Sequence, residues 1–240
     1  MPLVNVSVAL DSPAQLAAEL AATVQYRGRK ASRQGSEQRR QAILEAALRI
    51  VVREGLRGVR HRAVAAEADV PLSATTYYFK DIGDLIADSF ALFVQRSSAK
   101  LAALWADVDE DFQRISAAIE HNPAARHDMA AHIIDLTVAH VQSKASSHDD
   151  ELLVELAFRQ EALTNPELRA LALAHQSLRF RFAERALRAM GSGAPFEDAQ
   201  VLTTLILRME YHAVVDGVDD FDLEAQRAVL QRFLDLVIGQ

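Results

Sequence analysis

Apolar positions recur along this chain at helical spacing, and polar, proline and glycine punctuation divides the pattern into segments. Ile43, Ala46, Ala47, Ile50 and Val51 share one face of a predicted helix that Ser36 can cap and Gly55 can end. Arg62 to Ala68 predicts a short helix with Val64, Ala65 and Ala68 turned inward, and Pro71 to Tyr78 predicts a second. Asp69 and Val70 leave room only for a tight turn between them. Two short helices joined this closely match a helix-turn-helix, whose second member can enter a major groove. The small side chains of Ala65 and Ala68 would let the pair pack closely.

From Asp84 an apolar-rich helix is predicted to about Trp105, with a break or bend at Asp107-Val108-Asp109. Further helices are predicted at 111–120, 124–143, 149–163, 166–190, 196–216 and 222–238. Their separators are Asn122-Pro123, Ser146-Ser147, Asn165-Pro166, Gly191-Ser192-Gly193 and Gly217, all turn or cap signals. At the other end, residues 1–11 have mild β character. Ser12-Pro13 then opens a short predicted helix to about Val24, with Leu16, Leu20 and Val24 on one stripe. The reading is all-α.

Composition agrees. Half of the 240 residues are apolar, only 6% are aromatic, and there are 6 prolines and 9 glycines, a balance that favours helices over sheets. The absence of cysteine excludes disulfides, thiolate metal sites and a cysteine nucleophile. No uninterrupted apolar run reaches about 18 residues, so no membrane span is expected. The opening MPLVNVSVALD lacks the basic start of a secretory signal. A cytoplasmic location fits.

The net charge of −7 hides an asymmetry. Residues 27–83 carry 12 Lys/Arg and 6 Asp/Glu, whereas residues 84–240 carry 14 and 25. A basic module beside an acidic body suits a protein of which one end faces phosphate, although a solvated face gives charge runs too. Within the basic part, YRGRKASRQG reads as a flexible arm. Its Arg27, Arg29 and Lys30 can lie on phosphates or along a groove, or the stretch is a solvated linker.

The stretch from Arg40 to Leu85 resembles the DNA-binding domain of TetR/AcrR-type transcriptional regulators. Glu54-Gly55 close the first helix, Ala65 to Val70 carry the second helix and turn, Tyr77-Tyr78-Phe79 end the recognition helix, and Lys80 to Leu85 lead into a long helix. Four positions depart from the pattern: Asp69 stands at the usual turn glycine, Pro71 at a small polar cap, Thr76 at a backbone-contacting tyrosine and Ile82 at a common lysine. Aspartate tolerates the left-handed turn better than most residues, and proline suits a helix start.

The resemblance implies an N-terminal extension over 1–35, a three-helix DNA-binding domain over 36–83 and a helical ligand-binding and dimerisation domain over 84–240. Leu72, Ser73, Ala74 and Tyr77 are the candidate base readers. Thr76, Tyr78, Lys80, His61 and Arg60 are candidate backbone contacts, although Arg60 alternatively only solvates its loop. Phe79 is assigned to the core. The implied partners are double-stranded DNA, a second copy of the chain and a small-molecule effector, with no membrane. The dimer helices map onto 166–190 and 196–216, with 222–238 as a competing or additional element. The implied function is a repressor released from a palindromic operator by its effector.

Trp105, Phe112, Met129, Ile133, Phe158 and His175 can line an apolar effector cavity, although ordinary core is the more common role of such residues. Buried Arg159 or Arg179 could recognise an anionic group. Phe180 and Phe182, two apart on a helix, cannot share a face. His121, His127, His132, His140 and His148 contain no pair spaced for a metal, and no nucleophile elbow, phosphate-binding loop or carboxylate pair stands out. No cofactor and no catalysis are expected. The losses at Thr76 and Ile82 motivate the competing reading, a helical ligand-sensing or protein-interaction module without sequence-specific DNA binding.

Overall fold

The computed structural model describes residues 26–29, 34–146, 150–217 and 220–239, and all regular structure among them is helical. Helix α1 (Gln34–Glu54) passes through a 3₁₀ turn at Leu56–Gly58 to α2 (His61–Glu67) and α3 (Leu72–Tyr78). Then follow α4 (Ile82–His121), α5 (Ala125–Ser146), α6 (Asp150–Glu161), α7 (Pro166–Ala189), α8 (Pro195–Asp216) and α9 (Leu223–Ile238). The all-α class expected from apolar spacing is the class adopted. The segment 1–11 and the helix expected from Pro13 to Val24 lie outside the described residues.

Two local expectations are corrected. Helix α1 begins at Gln34, so Ser36 lies inside its first turn rather than at its cap. Helix α4 runs for 40 residues without the break expected at Asp107-Val108-Asp109. Aspartate and valine each cost a helix less than about 1 kcal/mol and keep their backbone N–H, so the ladder continues through them. Only a proline would have removed a rung.

The described residues pack as two compact units. One draws on the described residues between 26 and 98 and between 150 and 176, the other on those between 99 and 146 and between 177 and 239. In the first, Ile43, Leu44, Ala46, Ala47, Ile50 and Val51 bury one face of α1, which packs against α2, α3 and α6. Phe90 of α4 stacks on Phe158 of α6 with ring centroids 4.3 Å apart, and Phe93 joins the layer. Such pairs add roughly 0.5–1.5 kcal/mol beyond the area they bury. Thus the opening of α4 and all of α6 share a core with the three N-terminal helices, across the position where the sequence divides the two functions.

In the second unit Phe112, Met129, Ile134, Leu187, Leu202, Met209, Leu230 and Leu234 belong to one apolar cluster. Helix α5 packs against α8 and α9. Asp222 caps α9 by accepting the Ala225 N–H at 2.9 Å. The buried carboxylate of Glu210 receives Arg179 Nη1 at 2.9 Å and lies 2.8 Å from His140 Nε2. A buried charge of this kind is tolerated only with such partners.

Two stability tests follow from these ion pairs. Glu67 joins α2 to α1 by accepting Arg49 Nε at 2.7 Å and Arg53 Nη2 at 2.8 Å. The Arg53 and then the Arg49 hydrogen bonds hold its carboxyl at about 2. A depressed carboxylate contributes stability that is complete above the ordinary carboxylate range and lost as pH falls through the folded value. The thermal midpoint should therefore fall as pH drops from that range towards about 2, and Glu67→Gln should flatten part of the fall; an unchanged profile would show that the bridge does not support folding. In the second unit, Arg179→Met should destabilise by about 3 kcal/mol or more in urea melts, because Glu210 stays buried with its charge undercompensated.

Candidate nucleic-acid interface

The turn between α2 and α3 is built by backbone geometry. The Val70 N–H donates to the Ala65 carbonyl at 3.0 Å, and Asp69 takes φ 52°. That left-handed conformation costs most residues about 1–2 kcal/mol, but aspartate adopts it more readily. Pro71, extended at φ −60° and ψ 144°, then starts α3. The resulting α2–turn–α3 unit is a helix-turn-helix.

The two faces of α3 differ sharply. Thr75 and Phe79 are fully buried, and Tyr78 is nearly so. Thr75 Oγ1 donates to the Leu72 carbonyl at 2.9 Å, so its hydroxyl is satisfied internally. On the opposite face Leu72 is 49% exposed and Tyr77 54% exposed, with exposed Ser73 and Thr76 between them. Ala74 is half-buried. Thr76 Oγ1 is 3.3 Å from the Ser73 carbonyl, to which it donates.

Tyr78, read from the sequence as a backbone contact, points inward instead. Its hydroxyl is hydrogen-bonded to that of Ser36 at 2.8 Å, which ties α3 to the first turn of α1. The reason is its position: residues 75, 78 and 79 share the inner face, three and four apart. Arg60 and Lys80 are exposed at the two ends of the motif. His61 is half-buried with Nδ1 unpartnered. Phe79 occupies the core as expected, as does Leu85.

The basic segment before α1 is held by contacts that sequence reading missed. Asp88 of α4, its side chain fully buried, accepts the Arg27 N–H at 2.7 Å and the Gly28 N–H at 3.0 Å. Arg40 Nη1 lies 3.4 Å from the same carboxylate and stacks over the Tyr26 ring at 4.5 Å. The Tyr26 hydroxyl donates to Gln95 at 2.7 Å, and the Arg29 N–H donates to the Tyr78 carbonyl at 2.8 Å. Burial pushes the Asp88 carboxyl above its ordinary range, while the two backbone N–H groups and Arg40 pull it back. Arg27 and Arg29 are exposed, and Arg29 lies over the Tyr77 ring at 4.5 Å. Lys30 falls outside the described residues. The one available sequence signal was a polar Asp88-Ser89 pair inside the apolar run of α4.

The proposed effector residues fall into both units. Phe112, Met129 and Ile133 belong to the second unit's core, whereas Phe158 and His175 are buried in the first. His175 meets Phe93 edge-on at 5.5 Å and lies 3.0 Å from Ser97 Oγ. The Trp105 side chain lies outside the described residues. Arg179 is engaged by Glu210, and Arg159 lies 3.9 Å from Glu155, so carboxylates already neutralise both cations suggested for an anionic ligand. Phe182 is buried, and Phe180 packs on Phe196 at 4.9 Å. No group of three or more His, Asp or Glu among the described residues is placed to hold a metal. No helix among them is long and apolar enough to cross a membrane.

Residues 124–239 match the family described as tetracyclin repressor-like, C-terminal domain. A TetR-family member from Streptomyces coelicolor A3 shares 27% identity at a TM-score of 0.54, over 82% of this chain and 98% of that one. The chain is thus similar to the TetR family in both its C-terminal sequence and its fold. A transcriptional regulator from Rhodococcus sp. Rha1 shows the same fold at 16% identity and a TM-score of 0.56, over 83% and 96% of the two chains. No curated protein matches. The family match lies on α5–α9, where reading of the sequence by motif finds agreement in length and helical content only; the motif residues lie in α1–α4.

The inward placement of Tyr78 sets a measurable contrast. Tyr78→Phe should lose about 1 kcal/mol, the worth of one hydrogen bond. Phe79→Ala should lose about 3–5 kcal/mol, the cost of emptying an aromatic core site. Equal losses in urea titration would contradict the described packing.

Proposed function

We propose that this chain is a dimeric repressor of the TetR type that holds a two-fold symmetric operator through α3 and is released by a small-molecule effector. The observation that carries this reading is the division of α3 into an inner face committed to the core and an outer face open to solvent. Leu72, Ser73, Ala74 and Tyr77 are the proposed base readers, with apolar contact to thymine methyls and hydroxyl contacts to base edges. Thr76, Lys80, Arg60 and His61, with Arg27, Arg29 and Lys30, are the proposed phosphate contacts. Tyr78 is withdrawn from that set and given the task of fixing the angle of α3.

One such module recognises few base pairs, so tight binding calls for two copies on a symmetric site. Helix α8 supports a dimer built from α7 and α8. Val201, Thr204, Arg208, Tyr211 and Val215 are all exposed and recur every three or four residues, which makes a continuous stripe along its outer side. Helix α9 competes through exposed Val229 and Leu236. The effector acts by binding one of two conformations more tightly, since equal affinity for both would shift nothing.

Selection from a random duplex pool tests the DNA reading. Enrichment of a two-fold symmetric site is the expected result. No enrichment across several salt concentrations would overturn it and favour the interaction-module reading. A paired substitution, Val201→Glu with Tyr211→Glu, should convert the dimer to a monomer by light scattering and abolish operator binding. A dimer that survives it would move the interface to α9.

A further inference from the structure

Residues 26–29 are not a loose linker. Gly28 is inserted where only glycine fits: a Cβ there would lie 2.7 Å from the Phe79 ring and 2.9 Å from Asp88 Oδ2. Its N–H and that of Arg27 end on the Asp88 carboxylate. Arg40, itself buried, stands between that carboxylate and Glu37, with the Tyr26 ring over its guanidinium. The Arg29 N–H then reaches the last residue of α3, and its guanidinium lies on the Tyr77 ring, which is on the outer face of α3. The chain is thus held from inside by an acidic side chain and presents a basic one outside.

We propose that Asp88 is a positioning residue for DNA binding, which docks residues 26–29 on the end of α3 so that Arg29, resting on the Tyr77 ring, is held ready for a DNA backbone phosphate. This rests on the DNA-binding reading above and adds to it a recognition element outside the helix-turn-helix. Asp88 is fully buried, so it does not touch DNA itself. Its contribution is preorganisation: a segment already ordered before binding loses less conformational freedom on binding than a free arm does. The ring of Tyr77 holds the Arg29 guanidinium by its negative face while leaving the N–H edge of that group for an anion.

The test uses the full-length chain, the duplex that the wild type selects from a random pool, and a random-sequence duplex of the same length. Arg29→Ala should weaken binding to the selected duplex by roughly tenfold or more. The slope of log K against log salt should flatten by about 0.9 for each subunit. Gly28→Ala and Asp88→Ala should reproduce both effects, and adding Arg29→Ala to either should cost little more. Thermal melts identify any variant that fails to fold, and Arg29→Ala, an exposed site, remains informative whatever becomes of Asp88→Ala.

Wild-type affinity and slope in Gly28→Ala and Arg29→Ala would overturn the proposal while leaving the regulator reading intact. So would a loss in Asp88→Ala with no loss in Arg29→Ala, which would mean that Asp88 acts through the fold alone. Tighter binding in Arg29→Ala would also overturn it, by showing that Arg29 masks Tyr77. Failure of the wild type to prefer any duplex over the random one would overturn both readings.

Discussion

The burial of Phe79 is the constraint on which the recognition end of this protein depends. It follows the last turn of α3 and is fully excluded from solvent. With Thr75 and Tyr78 it commits one side of a seven-residue helix to the core. A helix that short has little stability of its own, so its orientation comes from what its inner side chains touch. The same ring faces Gly28, and the approach leaves no space for a side chain there. Phe79 thereby sets the angle of α3 together with Tyr78, and the path of the chain in front of α1.

Buried charge supplies the second layer of order. Asp88 in the first unit and Glu210 in the second are carboxylates inside helical packing, and each is surrounded by donors. Asp88 takes two backbone N–H groups and Arg40; Glu210 takes Arg179 and lies against His140. Neither arrangement adds much net stability, because desolvation offsets most of the attraction. What they do is penalise alternatives: any packing that separates the partners leaves an ion in a medium that cannot solvate it. That penalty fixes which backbone segment meets which helix.

Much of the fold was legible because helical periodicity is a local property. The spacing of Ile43, Ala46, Ala47, Ile50 and Val51 marked the buried face of α1, and the proline and glycine separators marked the starts of α7 and α8 and the end of α8. The family resemblance puts Asp69 at the turn position, and its chemistry allows the left-handed conformation that it adopts. The break expected at Asp107-Val108-Asp109 failed for the opposite reason. Charge and branching weaken a helix slightly, but only a missing donor or a steric block ends one. At the candidate interface, Leu72, Ser73, Ala74 and Tyr77 are the group that the sequence places on the outer side of α3; Leu72, Ser73 and Tyr77 are exposed there, and Ala74 is half-buried. Tyr78 was misplaced because aromatic residues with a hydroxyl serve both surfaces and cores, and only its spacing to Thr75 and Phe79 distinguishes the two.

From the sequence alone came the all-helical class, the helix-turn-helix with its family resemblance, and the basic character of the segment before it. Each rests on interactions between residues within a few positions of one another. The tertiary structure decided that Tyr78 faces Ser36, that Asp88 grips Arg27 and Gly28, and that Arg29 rests on Tyr77. These contacts join positions 42 to 61 residues apart or depend on such joins, so no local pattern announces them. Glycine in a basic stretch reads as freedom when seen alone. It becomes a point of closest approach only once an aromatic ring and a buried carboxylate have been brought against it.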